Sequence, residues 1–200
     1  MKALIIVDVQ NDFIPGGKLA VPEGDTIIPR INELQKKFDL VVATQDWHPA
    51  NHKSFASQHE GKNPFDIIEL NGIQQTLWPD HCIQGTPGAN LHLDLNTNRI
   101  EAIFRKGTNP EIDSYSGFFD NGRKKNTGLH GYLQDRKVDA VYVCGLAADY
   151  CVYYTAMDAL SLGYSTSILD ASVKAIDPVN YIDLKDNFRA KGGQISSYIL

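Results

Sequence analysis

The stretch ALIIVDV at 3–9 is a nearly unbroken run of aliphatic, mostly β-branched residues, the composition of a strand buried on both faces. A strand covered from both sides needs helices above and below it, which restricts the chain to a layered α/β architecture. The remaining sequence repeats the same unit. DTIIPRINELQKKF has helical spacing of apolar residues, with Asp25 placed as its N-cap, and the strand DLVVATQ follows. After a long interval come the strand IEAIFRK, the helix TGLHGYLQDR, the strand DAVYVC, the helix DYCVYYTAMDALSLG, the strand STSILD, the helix PVNYIDLKDNFRAKG and the strand QISSYI. Strands alternating with helices imply right-handed crossovers and a parallel sheet with helices on both faces. In such sheets ligands bind at the carboxyl ends of the strands.

Two stretches break the alternation. Residues 46–98 are rich in His, Pro, Asn and Gly without sustained periodicity, and residues 107–125 are also irregular. Long irregular inserts in a compact domain are usually functional, so the site is expected there. One domain spanning 1–200 is expected from a length of 200 residues with 42% hydrophobic and 22% charged residues. The net charge of -5, with no basic cluster longer than RKK at 123–125, argues against a nucleic-acid partner. The apolar part of MKALIIVDVQNDF is too short for a signal segment and is interrupted by Asp8; no run approaches a membrane span, so a cytoplasmic protein without membrane partners is expected. Three cysteines, Cys82, Cys144 and Cys151, do not suggest a disulfide framework and leave reactive or metal-binding roles open. Oligomeric state is also open, a homo-oligomer included.

The strand ends carry complementary titratable groups: Asp8 after the first, Asp46 and His48 after the second, Arg105 and Lys106 at the third, and the Gly145 turn leading to Cys151 after the fourth. Cys151 falls where a helix begins, and the unpartnered N–H groups there favour a thiolate. A free cysteine is also a small core hydrophobe, so position alone leaves both readings open. A carboxylate, an amine and a thiol on one rim are the parts of a cysteine hydrolase: base, electrostatic partner and nucleophile.

A second group comprises Asp46, His48 and His52 in DWHPANH and His81 in WPDHC. Asp, His and His with open positions is the ligand set of a catalytic metal, whereas loop histidines are also commonly just solvated. His52 is the weaker candidate, Cys82 is a further possible ligand but reads as facing away, and His59, His92 and His130 read as surface residues. Phe13, Trp47, Trp78, Tyr115 and Phe118 flank these groups, and Phe13, Trp78 and Tyr115 are placed to wall a pocket for a flat ring. No G-x-S-x-G, Walker A or G-x-G-x-x-G motif is present, which removes the usual support for serine hydrolase, nucleotide hydrolase and dinucleotide oxidoreductase readings.

DVQNDF at 8–13, TQDWHP at 44–49, WPDHCIQGTPGA at 78–89, RKG at 105–107, YSGF at 115–118 and GLAADYCV at 145–152, in this order, resemble the nicotinamidases of the isochorismatase-like hydrolase superfamily. The resemblance spans essentially the whole chain. It implies a six-stranded parallel sheet with helices on both sides and hydrolysis of nicotinamide to nicotinate and ammonia through a cysteine thioester, in NAD salvage; pyrazinamide is an expected further substrate. By the same resemblance Asp8, Lys106 and Cys151 are the catalytic triad. Asp46, His48 and His81 are the ligands of one divalent metal, zinc foremost, with iron or manganese also compatible. Phe13, Trp78 and Tyr115 bind the ring. The resemblance further implies a cis peptide between Leu146 and Ala147 and an oxyanion hole from the N–H groups of Ala147 and Cys151; whether His52 and Ser54 order metal-bound water is left open. Competing readings are a metal-free amidase or isochorismatase of the same superfamily, which leaves Asp46, His48 and His81 unused, and a non-catalytic redox or metal-binding module, which leaves Asp8 and Lys106 unused.

Overall fold

The computed structural model describes residues 1–197. Among them are eight strands: β1 (Lys2–Val7), β2 (Leu40–Asp46), β3 (Ile67–Leu70), β4 (Ile73–Thr76), β5 (Ala102–Lys106), β6 (Ala140–Gly145), β7 (Ser165–Val173) and β8 (Gln194–Ser196). Six of them form one sheet in the order β5-β2-β1-β6-β7-β8, and every pairing in it is parallel. β1 lies in the interior of the sheet, and its side chains alternate between two cores. Ala3, Ile5 and Val7 enter one apolar cluster, Leu4 and Ile6 the other. Each fully buried Leu, Ile or Val contributes about 1.5–3 kcal/mol, so this strand alone anchors both faces.

Helix α1 (Ile28–Leu34) covers the Leu4 face through Ile28, Ile31 and Leu34. Helices α2 (Leu129–Asp135), α3 (Tyr153–Ser161) and α4 (Pro178–Ala190) cover the Ile5 face with Leu129, Leu133, Ala156, Ala159, Tyr181 and Phe188. This is the layered arrangement expected from the β-branched runs. The chain runs outward from β1 to β2 and β5 on one side and from β6 to β7 and β8 on the other. The carboxyl ends of β1 and β6 therefore border the topological switch point, where open α/β sheets bind their ligands.

Three expectations need correction. Asp25 does not cap α1: a 3-10 turn (Gly24–Ile27) precedes the helix, Ile27 occupies the N-cap position, and no side chain caps it. Pro29, at the start of α1, is pre-organised for a first turn and lacks the N–H that would be unsatisfied there, which fits the later start. Residues 46–98 are not irregular throughout, because β3 and β4 pair as an antiparallel hairpin. Its turn residues Asn71 and Gly72 both have positive φ, 53° and 80°, as a type I′ turn requires, and the Asn-Gly pair between IIEL and IQQT is its sequence signal. Finally, β7 runs past the expected STSILD to Val173, with a register shift between Val143 and Gly145 of its neighbour β6. Residues 198–199 of the expected strand QISSYI lie outside the described residues. No helix among the described residues is long and apolar enough to cross a membrane.

Candidate active site

Asp8 follows β1 directly, in left-handed backbone conformation (φ 48°), and is fully buried. Lys106 ends β5, where strand register sets it beside Asp46 at the end of β2. Its ammonium lies 2.7 Å from Asp8 Oδ2, 2.5 Å from Asp46 Oδ1 and 3.3 Å from Cys151 Sγ, and donates to the Ser114 carbonyl at 3.0 Å. Arg105, one residue earlier, faces the other way. Its guanidinium stacks 3.8 Å from the Trp47 ring centroid and donates to Gln45 Oε1, so Arg105 does not join the rim cluster. Burial alone would discourage charge on Lys106, but Asp46 and Asp8 outweigh it and hold the ammonium well above its ordinary pKa. Thr44 donates to the remaining Asp8 oxygen at 2.6 Å.

Cys151 lies in a π-helical turn (Ala148–Val152) that feeds directly into α3, and the preceding Leu146–Ala147 peptide is cis. The Ala147 carbonyl accepts from the N–H groups of Tyr150 and Val152 at 3.2 and 3.0 Å. The expected lowering of the thiol pKa is overturned. Burial pushes Cys151 well above the ordinary thiol range, Lys106 opposes the shift, and Asp8 and Asp46 reinforce it. Burial likewise raises Asp8 against the opposing charge of Lys106. A carboxylate and a thiol thus contact one ammonium, an arrangement suited to passing a proton between them.

The second cluster adjoins the first through Asp46. Asp46 Oδ2 faces His48 Nε2 at 3.5 Å and His81 Nε2 at 3.7 Å, and the ligand atoms of the three buried residues all lie within 4.8 Å of one another. His48 Nδ1 lies 2.9 Å from the Gly107 carbonyl and His81 Nδ1 2.8 Å from the Pro79 carbonyl. A carbonyl only accepts, so each Nδ1 carries the proton and each Nε2 offers a lone pair. Burial pushes the Asp46 carboxyl up, but the Lys106 ammonium outweighs it and holds the group well below the ordinary carboxylate range. Two imidazole lone pairs and one carboxylate fit a divalent ion with open positions. The glycine of RKG has a local reason: at Gly107 (φ 64°) a Cβ would collide with the His48 ring.

His52 packs against His48 with ring centroids 4.4 Å apart and the rings tilted by 57°, and its Nδ1 lies 2.7 Å from Ser54 Oγ. Its Nε2 is buried without a hydrogen-bond partner among the described residues. Asp113, which sequence reasoning missed, joins His48 and His52 in a second close group of possible ligands. Cys82 is buried outside these groups, and its backbone N–H donates to Asp12 Oδ2 at 2.7 Å. His59, His92 and His130 are half-buried rather than surface residues: His59 bonds the Lys53 carbonyl, His92 faces Asp94, and His130 meets the Tyr164 hydroxyl.

A small cavity opens onto Cys151, Asp46 and His81. Phe13, Trp78 and Tyr115 line it as expected, and Tyr150, beside the cysteine in sequence, is added to them. Trp78 meets Tyr150 edge to face, with centroids 4.8 Å apart. Trp47 is not among the lining residues, and Phe118 belongs to the core on the Ile5 face. Asp149, also missed, accepts from the N–H groups of Ile176 and Asp177 at 3.0 and 2.8 Å, tying Ile176 of the cavity wall to the cysteine turn.

The doubly wound parallel sheet gathers a thiol, an ammonium and a carboxylate at its switch point. The chain belongs to the isochorismatase family, whose domain model matches residues 2–198. It is 50% identical over 180 residues to the nicotinamidase of Escherichia coli (strain K12), an alignment covering 88% of this chain and 84% of the relative. Among solved structures it is similar to an Acinetobacter baumanii nicotinamidase/pyrazinamidase, with a TM-score of 0.94, 49% identity and coverage of 97% of this chain and 94% of that one. It is also similar to the pyrazinamidase of Pyrococcus horikoshii in complex with zinc, with a TM-score of 0.82, 40% identity and coverage of 98% and 99%.

Proposed function

We propose that the protein hydrolyses nicotinamide to nicotinate and ammonia through a thioester on Cys151, a step of NAD salvage, and that it also accepts pyrazinamide. The observation that carries this reading is the contact of one buried ammonium, Lys106, with both Asp8 and Cys151, the latter opening onto a cavity lined by aromatic rings. The likeness to nicotinamidases and pyrazinamidases supplies the substrate class.

In the proposed reaction Asp8 takes the thiol proton as sulfur attacks the carboxamide carbon, and Lys106 offsets the negative charge that builds on the pair. The N–H groups of Ala147 and Cys151 receive the developing oxyanion. Asp8 returns the proton to the amide nitrogen, the C–N bond breaks, and ammonia leaves a thioester. Water, deprotonated by Asp8, attacks the thioester carbon; nicotinate departs and sulfur regains its proton. Phe13, Trp78 and Tyr115 hold the ring so that the carbonyl meets the sulfur.

Asp46, His48 and His81 would hold the divalent ion, with zinc foremost, and His52 and Ser54 would order water beside it. Bound there, the ion supplies a Lewis-acid position for a basic ring nitrogen. A metal-free amidase of the superfamily would leave these three ligands without use. Ammonia release from nicotinamide by wild type and by Cys151→Ala, side by side, tests the reading. Turnover by the wild type that vanishes in the variant is expected, and a metal-loaded wild type that releases no ammonia overturns it.

A further inference from the structure

We propose that Gln75, on strand β4, is a positioning residue of the substrate cavity that holds the side chains of Asp113 and Tyr115 in place. The β3–β4 hairpin stands apart from the main sheet and is largely solvent-facing, with Ile67 63% exposed. Gln75 is its exception, at 2% exposed. Burying a carboxamide is costly unless it is hydrogen-bonded, so a glutamine at the one buried position of this hairpin needs partners. Gln75 Nε2 lies 3.1 Å from Asp113 Oδ2, 3.2 Å from the Tyr115 hydroxyl and 2.7 Å from the Thr76 carbonyl.

Two of those acceptors belong to the cavity. Asp113 and Tyr115 both line it. No lysine or arginine pairs with Asp113 among the described residues; its other oxygen accepts from the Ser114 N–H at 2.8 Å, so Gln75 is the side-chain donor that orients its carboxylate. Tyr115 is held at its backbone, where its N–H donates to Asn121 Oδ1 at 2.9 Å, while its ring meets Tyr150 at 5.4 Å between centroids. The Gln75 bond reaches the far end of that ring, where the hydroxyl also meets Trp78. Releasing it frees a ring and a carboxylate to move within the cavity, whereas Asp8, Lys106 and Cys151 make no hydrogen bond to Gln75 among the described residues. The effect therefore falls on substrate binding rather than on the chemistry at sulfur.

The inference rests on the substrate reading above, and its test separates the two. Gln75→Met keeps length and removes both donors; Gln75→Glu sets a second carboxylate against Asp113. Expected is a rise in KM for nicotinamide of about fivefold or more in Gln75→Met, as loss of an ordinary hydrogen bond implies, with kcat within about threefold. A larger rise is expected in Gln75→Glu, and the rate of Cys151 alkylation by iodoacetamide should stay at the wild-type value in Gln75→Met. In a Tyr115→Phe background the KM effect of Gln75→Met should shrink, since the shared bond is already gone. Unchanged KM in folded Gln75→Met, an undiminished effect in the Phe background, or a joint fall of kcat, alkylation and melting temperature would each overturn the proposal. A crystal structure of Gln75→Met gives a substrate-independent reading: displaced Asp113 and Tyr115 side chains support positioning, and unmoved ones refute it. Wild type inert toward nicotinamide overturns the substrate reading alone.

Discussion

Lys106 and Asp46 meet at 2.5 Å across the ends of β5 and β2, and this contact joins the two halves of the site. One Asp46 oxygen serves the ammonium that touches Asp8 and Cys151, while the other faces His48 and His81. Lys106→Met would leave two buried carboxylates without their cation, a kind of loss that costs about 3–5 kcal/mol. The melting temperature should fall, and kcat/KM in the protein that remains folded should drop by about 10²-fold or more. Lys106 is also the group that opposes the upward shift of the Cys151 thiol. Its removal should therefore move the pH profile of iodoacetamide alkylation to still higher pH. Turnover and alkylation both near wild type in folded Lys106→Met would exclude Lys106 from catalysis.

Asp8→Asn separates proton transfer from shape. The amide keeps the size and reach of the carboxylate but cannot carry the thiol proton to the departing nitrogen. Hydrolysis should fall by about 10²-fold to 10⁴-fold in kcat. Alkylation of Cys151 needs no proton on a leaving group, and losing a neighbouring negative charge favours the thiolate, so alkylation should survive far better than hydrolysis. Nicotinamide hydrolysis within about threefold of wild type would show that Asp8 shuttles no proton.

The metal ligands carry a prediction about the ring. Benzamide has the same amide without the ring nitrogen and should be a very poor substrate. His81→Ala removes one of two available Nε2 lone pairs, so both metal content after desalting and kcat/KM should fall. Comparable turnover of benzamide and nicotinamide would remove the metal from ring recognition.

The hairpin turn offers a stability test away from the chemistry. Gly72 has φ 80°, and nothing in the structure would crowd a Cβ there, so Gly72→Ala isolates the backbone cost of a left-handed alanine. That cost is on the order of 1 kcal/mol and should lower the melting temperature by about 2–4 °C in a chain of this size. An unchanged melting temperature would mean that the hairpin unfolds independently of the sheet.

The layered fold was legible because the strands of the main sheet are short apolar runs whose composition suits burial between helices, and the hydrophobic spacing between them changes to the helical period. Asp8, Lys106 and Cys151 were legible as strand-end groups, and topology alone brings such ends to one rim. The hairpin had a local signal in Asn71-Gly72, but its two four-residue strands are too short to establish a period. Side-chain direction needed tertiary structure. Arg105 and Lys106 are adjacent and both basic, and pleating with pairing to β2 decides that Lys106 faces the site while Arg105 lies on Trp47. Trp78 lines the cavity and Trp47 does not, for the same kind of reason. Gln75, Asp113 and Tyr115 come from segments whose meeting no local pattern encodes. The state of the Cys151 thiol is likewise a property of the assembled site. Helix position favours the thiolate, but desolvation depends on everything packed around the sulfur, and in this fold burial outweighs the opposing charge of Lys106. Sequence thus determined the elements and the chemical groups at their ends; packing decided which groups meet and at what electrostatic cost, because contact and desolvation are long-range consequences of the whole chain.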